Sequence, residues 1–262
     1  MINKIYILLF ILVSFVIYPQ EKNSKIKSLF FSDTKSINDT IRINKLYDIS
    51  CNYPSTNIQK IDSLSEIILQ LSKKNNYPKG FGYYYLNKGN TIKSNGNLKK
   101  AMSYFKISKY YFSKLKNKSL YLDCVYVIAF CYLDMNMSKS GEEIAIQALN
   151  ESKKFKHDSY YKQLSRLNFF LGVYYSKVRH DDNKSINYHI KSNYYAKKIN
   201  DFQTIYNCYS EIILIYFGQE NWEKALYYSE ICEKYVPLFK TKNKYWQEFY
   251  QSNNFYSHTN TI

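Results

Sequence analysis

The sequence predicts an all-α fold, an α-solenoid of about five antiparallel helix pairs. Three observations carry this. First, Gly89 is followed twelve residues later by Ala101, Ala129 by Gly141, Gly172 by Ser185 after thirteen, and Ile213 by Ala225; the four leading residues are 40, 43 and 41 apart. A fixed period of this length is the signature of a helical array. Second, apolar residues recur at spacings of three and four, as in Tyr126, Ala129, Phe130 and Leu133, and again in Phe169, Gly172 and Val173 one repeat on. Third, only seven Gly and four Pro punctuate 262 residues, too few for a turn-rich β architecture.

The elements follow in order. Helices are predicted at about 40–52, 57–74, 79–95, 97–115, 119–136, 138–155, 159–179, 183–200, 202–218 and 221–235, and a further one at about 241–250 would close the array. Polar breaks separate them: Asn95-Gly96-Asn97, the stretch 135–140, His180-Asp181-Asp182-Asn183 and Gly218-Gln219-Glu220-Asn221. Each supplies a capping side chain or a residue suited to a left-handed helix end. Ordinary side chains hold packed helix axes about 8–10 Å apart, so the small residues mark where paired helices approach closely. Seven residues beyond Ala101, Gly141, Ser185 and Ala225 comes a second row, Ser108, Ala148, Ser192 and Cys232, two turns down the same face. No single pair can bury so much apolar surface, so neighbouring pairs must stack.

The first twenty residues differ in kind. Lys4 is followed by a nearly unbroken apolar run from Ile5 to Tyr18, which ends at Pro19-Gln20-Glu21-Lys22. As a helix that run spans about 21 Å at ~1.5 Å per residue, short of the ~30 Å hydrocarbon core. A basic start and a short apolar run read as a signal peptide over 1–20, with an uncleaved anchor as the alternative. The chain is therefore expected to be exported, periplasmic or attached to the cell envelope. Residues 21–39 read as a linker, 40–250 as the repeat domain and 251–262 as a disordered tail.

Net charge is +16, carried by 37 Lys and Arg against 21 Asp and Glu, but only Arg42, Arg166 and Arg179 are arginines. Nucleic-acid recognition favours clustered Arg, and these lysines are scattered along helix faces, so no nucleic-acid partner is expected. Weak association with an anionic envelope surface remains open. The 30 Tyr accompany abundant Lys, Asn and Ile, a bias that AT-rich codons explain without a ligand. The five Cys form no C-x-x-C pair and read as small buried hydrophobes.

Chemistry is sparse. The four His form no metal motif; His180, Asp181, Asp182 and His189 straddle a turn and a helix start, where Asp181 and Asp182 serve as helix-terminal charges. There is no phosphate-binding glycine loop, dinucleotide fingerprint or nucleophile elbow. The chain reads as non-enzymatic, with no cofactor.

The segment Tyr83–Leu115, YYYLNKGNTIKSNGNLKKAMSYFKISKYYFSKL, resembles a tetratricopeptide repeat (TPR) through Gly89, Ala101, Phe105 and Ser108. The last repeat, NWEKALYYSEICEKYVP, is similar, with Ala225, Cys232 and Pro237 at the expected places. Repeats of 40–43 residues exceed the standard unit of about 34, which implies longer helices. The resemblance implies a TPR-like superhelix whose first helices line a concave face that holds a protein or peptide. On those helices the groove residues would be Tyr83, Asn90, Lys93, Tyr126, Phe130, Arg166, Phe169 and Lys177, with Leu86, Asp123, Asp134, Val173, Asn207 and Leu214 beside them. Such a face suits an extended, partly acidic peptide. The layout also resembles the extracytoplasmic part of Bacteroidetes-type signalling proteins, which implies a second reading as a sensor or regulatory fragment lacking its kinase or DNA-binding output domain. An uncapped last pair would also allow a homodimer.

Overall fold

The computed structural model describes residues 38–53, 57–155 and 160–238; the predicted signal peptide, the closing helix at about 241–250 and the tail lie outside the described residues. Ten α-helices lie wholly within the described residues: α1 (Asp39–Cys51), α2 (Ile58–Lys74), α3 (Pro78–Ser94), α4 (Leu98–Ser113), α5 (Ser119–Asp134), α6 (Ser138–Ser152), α7 (Tyr161–Lys177), α8 (Asp182–Lys198), α9 (Phe202–Gly218) and α10 (Trp222–Glu233), and residues 236–238 are helical too. They pack as successive antiparallel pairs in an all-α solenoid. The first helices also touch across repeats, α1 on α3, α5 on α7 and α7 on α9, whereas no second helix packs substantially on another. The first helices therefore form the inner face of the array.

Local sequence sets the boundaries. Asn97, Asp181, Asp201 and Asn221 are N-caps whose side chains accept from the backbone N–H three residues on, at 3.1, 3.0, 3.2 and 3.2 Å. Six junctions carry one left-handed residue: Asn76, Gly96, Asn136, His180, Asn200 and Glu220. Four of these lie in the predicted breaks. Thus His180 is a turn residue and Asp181 caps α8, while His189 lies buried between α7 and α8.

The slots keep a constant register. Gly89, Ala129, Gly172 and Ile213 each stand five residues before the end of their helix, and Ala101, Gly141, Ser185 and Ala225 three residues after the start of theirs. Two pairs meet directly. A Cβ on Gly141 would lie 2.9 Å from the Ala129 carbonyl oxygen, and Ser185 Oγ donates to the Gly172 carbonyl at 2.8 Å. At two of the glycines a ring also fills the slot. Phe105 lies over Gly89 and His189 over Gly172, each four residues past the small residue the sequence singles out. The second small row is buried too, and its hydroxyls bind backbone across the pair: Ser108 Oγ donates to the Gly82 carbonyl and Ser192 Oγ to the Ser165 carbonyl, at 2.8 and 2.9 Å. These bonds satisfy hydroxyls that would otherwise be stranded in the core.

The core runs on through three hydrophobic clusters, centred on α1–α5, α5–α8 and α8–α10. Between α6 and α7 the link is polar: Tyr174 and Tyr175 donate from their hydroxyls to the two Glu142 carboxylate oxygens at 2.7 and 2.6 Å. Burial and this carboxylate push the Tyr174 phenol up to about 12. Cys124, Cys131, Cys208 and Cys232 are buried as expected, and burial pushes the Cys124 thiol up to about 12. Cys51 departs from the expectation and is exposed at the end of α1. Among the described residues no helix is long and apolar enough to cross a membrane.

Candidate functional site

The inner face carries a recess of about 250 Å³ bounded by α5, α7 and the start of α9. Its lining comprises Tyr126, Arg166, Phe169, Asn207, Asp201, Gln203 and Thr204. Tyr126 and Phe169 form the apolar floor, and the α9 side supplies amides, a hydroxyl and a carboxylate.

Arg166 is the centre of charge. Its Nη1 donates to Asp123 Oδ1 at 3.0 Å, and its guanidinium lies 5.5 Å from the Tyr126 ring centroid. Gln163 Nε2 donates to the other Asp123 oxygen at 3.2 Å. An arginine held by a carboxylate and a ring face keeps its planar fork in one orientation, with further N–H groups to offer. Burial pushes the Tyr126 phenol up, and Arg166 partly offsets this. Across the recess Asp201 is committed to capping, accepting from Thr204 N and from Thr204 Oγ1 at 2.8 Å. Gln203 Nε2 donates to Asn207 Oδ1 at 3.1 Å, which leaves the Asn207 amide nitrogen to be matched by a ligand acceptor.

The structure brings only part of the predicted groove together. Tyr126, Arg166 and Phe169 line the recess, joined by Asn207. Tyr83 does not: it is buried, stacked at 3.8 Å on Tyr47, and donates to Asn44 Oδ1 at 3.1 Å, so it is a core residue joining α1 to α3. Phe130 is wedged edge-on between Tyr126 and Phe170, both 5.0 Å away, and packs α5 on α7. Lys93 pairs with Asp134 at 3.0 Å and ties α3 to α5. Asn90 is exposed on α3, and Lys177 is exposed in the last turn of α7. Leu86 and Val173 are buried. The sequence reading missed Asp201, Gln203 and Thr204, which the next repeat delivers through its turn. Asp201 and Thr204, an N-cap pair opening α9, were the available signal.

This arrangement offers no paired acid and base and no nucleophile beside a base. What it presents is a small amphipathic niche with fixed hydrogen-bonding groups. The fold matches two solved structures of nearly identical TPR-like repeats from a Podosopora anserina protein assigned as a kinesin light chain. One is a single-substitution variant at TM-score 0.53, 11% identity, covering 78% of this chain and 99% of that one. The other stands at TM-score 0.51 and 12% identity, covering 74% and 94%. At such identity the likeness establishes a TPR-type repeat fold. No protein-family model matches the sequence, and no curated protein matches it.

Proposed function

We propose that the protein is a non-enzymatic scaffold that holds an extended peptide segment of a partner protein across its inner face, anchored at the Arg166–Asn207 recess. The observation that carries this reading is the convergence of Tyr126, Arg166, Phe169 and Asn207, from three successive first helices, on one recess. TPR-like folds are in general protein-interaction scaffolds rather than catalysts. An extended peptide is the occupant that suits the lining: its carbonyls match the Arg166 and Asn207 N–H groups, its N–H groups match the Asn207 and Gln203 carbonyls, and one apolar side chain suits Tyr126 and Phe169. The two nearby carboxylates, Asp123 and Asp201, are already hydrogen-bonded, so the recess favours main-chain groups over an acidic side chain. Export to the envelope belongs to the same reading and rests on the basic start and short apolar run within residues 1–20.

The test is selection of binding peptides from a displayed library with the full chain, followed by titration of the selected peptides. Asn207→Arg and Gln203→Glu fill or recharge the recess from half-buried positions outside the core. Binding should fall at least about tenfold in each, as expected when one or two hydrogen bonds and the fit of a side chain are lost. Peptides that bind both variants as well as the parent would remove the recess from the function.

A further inference from the structure

On the outer side of the array one groove stands open where neighbouring repeats close the equivalent place with a tyrosine ring. Of the second helices α4, α6, α8 and α10, three carry Tyr three and ten residues after the small position. These are Tyr104 and Tyr111, Tyr188 and Tyr195, and Tyr228 and Tyr235. In two of these repeats a third tyrosine, four residues before the slot of the first helix, fills the space between them. Tyr85 lies 5.8 and 6.0 Å from Tyr104 and Tyr111, and Tyr209 lies 6.2 and 5.9 Å from Tyr228 and Tyr235. On α7 the same register holds Asn168. There the structure has a groove of about 300 Å³, walled by Ile146 and Leu149 of α6, Leu164 and Asn168 of α7, and Tyr188 and Tyr195 of α8. Its volume is about twice that of an apolar cavity that holds benzene.

We infer that this groove binds the phenol ring of a tyrosine on a partner protein, entering from outside to take the place that Tyr85 and Tyr209 fill from within. The walls match those of the filled repeat: Tyr188 keeps Tyr175 stacked on it at 5.4 Å, as Tyr228 keeps Tyr216 at 5.6 Å. The base of the groove selects among rings. Asn168 is 4% exposed; its Nδ2 donates to the Leu164 carbonyl at 2.7 Å, and its Oδ1 accepts no bond among the described residues. A phenol O–H supplies that acceptor with a donor, which a phenylalanine ring cannot. A second exchange keeps the mouth open. Lys191 stands where α4 and α10 carry Ile107 and Ile231, and its ammonium lies 5.1 Å from the Tyr188 ring centroid. A lysine holds its charged end at the water side, where an isoleucine would cover the groove. The groove shares no residue with the Tyr126–Arg166 recess, so it stands or falls independently of that site.

The experiment titrates the full chain with p-cresol, toluene and N-acetyl-tyrosinamide and follows amide chemical shifts. p-Cresol should shift the amides of α6, α7 and α8 around the groove and bind several-fold more tightly than toluene. N-acetyl-tyrosinamide, the same ring on a peptide unit, should shift the same amides. Asn168→Tyr rebuilds the ring of the neighbouring repeats, so it should weaken both phenols at least about tenfold without lowering the thermal midpoint. Asn168→Leu keeps the size and loses the acceptor, so p-cresol should fall to the level of toluene. Asn207→Arg, in the inner recess, should change none of these. No shift at the groove in the parent overturns the proposal, whether the groove stays open or a second copy fills it. So does p-cresol binding that Asn168→Tyr leaves intact, which would seat the ring elsewhere. Binding of p-cresol without N-acetyl-tyrosinamide also overturns it, by giving the groove to small phenols.

Discussion

The α3–α4 and α7–α8 pairs solve one geometric problem with different chemistry. In both, a glycine at the same register accepts a ring from four residues past the small position of the partner helix, Phe105 over Gly89 and His189 over Gly172. Both rings are fully buried. Phe105 meets the slot with an apolar face. His189 meets it with two ring nitrogens that lack hydrogen-bond partners, against Phe169 edge-on at 5.4 Å. Burial alone pulls its pKa down to about 4, with no charged neighbour contributing. Where the first helix carries glycine the slot therefore takes a flat ring, and takes a polar one at a cost in stability, whereas opposite Ala129 the matching position on α6 is the buried Ala145. The comparison can be pressed from several sides.

Truncating the apolar ring should have the largest effect. Phe105→Ala leaves a cavity over Gly89 and is expected to cost about 3–5 kcal/mol in denaturant unfolding. His189→Ala should cost clearly less, because the stranded nitrogens leave with the ring. Equal losses would mean that the two slots are not energetically distinct.

Acid should separate the pairs next. The folded imidazole titrates near 4 and an unfolded one near 6.5, so between these values the unfolded chain binds the proton more tightly. Stability from this group is complete above pH 6.5 and is lost as pH falls toward 4, by about 3 kcal/mol in all. His189→Phe should remove that acid-dependent fall and raise stability at neutral pH by about 1–3 kcal/mol. An unchanged pH profile in His189→Phe would show that the imidazole is hydrated or paired.

Gly89→Ala and Gly172→Ala sharpen the steric half of the comparison. The added Cβ would stand 2.4 Å from Phe105 Cε1 and 2.6 Å from His189 Cε1, so each should cost about 1–3 kcal/mol. Combining Gly172→Ala with His189→Ala should cost less than the sum of the two changes, since the vacated ring makes room. The smallest effect lies away from both slots, in the turn that joins α3 to α4. Gly96 has φ +81° with open space around it, and Gly96→Ala should cost about 1–2 kcal/mol through backbone strain alone.

The slots and turns were legible in the sequence because they rest on local necessities. A close helix crossing leaves room only for Gly, Ala or Ser, and a left-handed junction favours Gly or Asn, so Gly141 against Ala129 and Gly96 in its turn could be read directly. Of the rings that fill the slots, Phe105 was singled out only through the repeat resemblance and His189 not as a slot filler, because a buried His189 and an exposed Tyr look alike in a periodic pattern. The groove was half legible for the same reason. Aromatic residues on first helices serve both the core and the inner surface, and only the neighbouring repeat decides which, so Tyr83 and Phe130 went inward while Tyr126 and Phe169 line the recess. Asp201, Gln203 and Thr204 reach the recess from the start of α9, 35 to 38 residues after Arg166, a proximity that stacking creates and local sequence does not show.

The account stands on rings lying over bare backbone at repeat-related slots, and the α-proton chemical shifts of the glycines report this directly. Stacked under or beside aromatic rings, Gly82, Gly89 and Gly172 should be strongly displaced from random-coil values by ring currents, with nuclear Overhauser effects to Phe112, Phe105 and His189 respectively. Gly96 and Gly218, which have nothing within 4 Å of a would-be Cβ, should stay near random coil. Random-coil shifts at Gly89 and Gly172 together would contradict the nested helix pairs on which the fold and the recess depend.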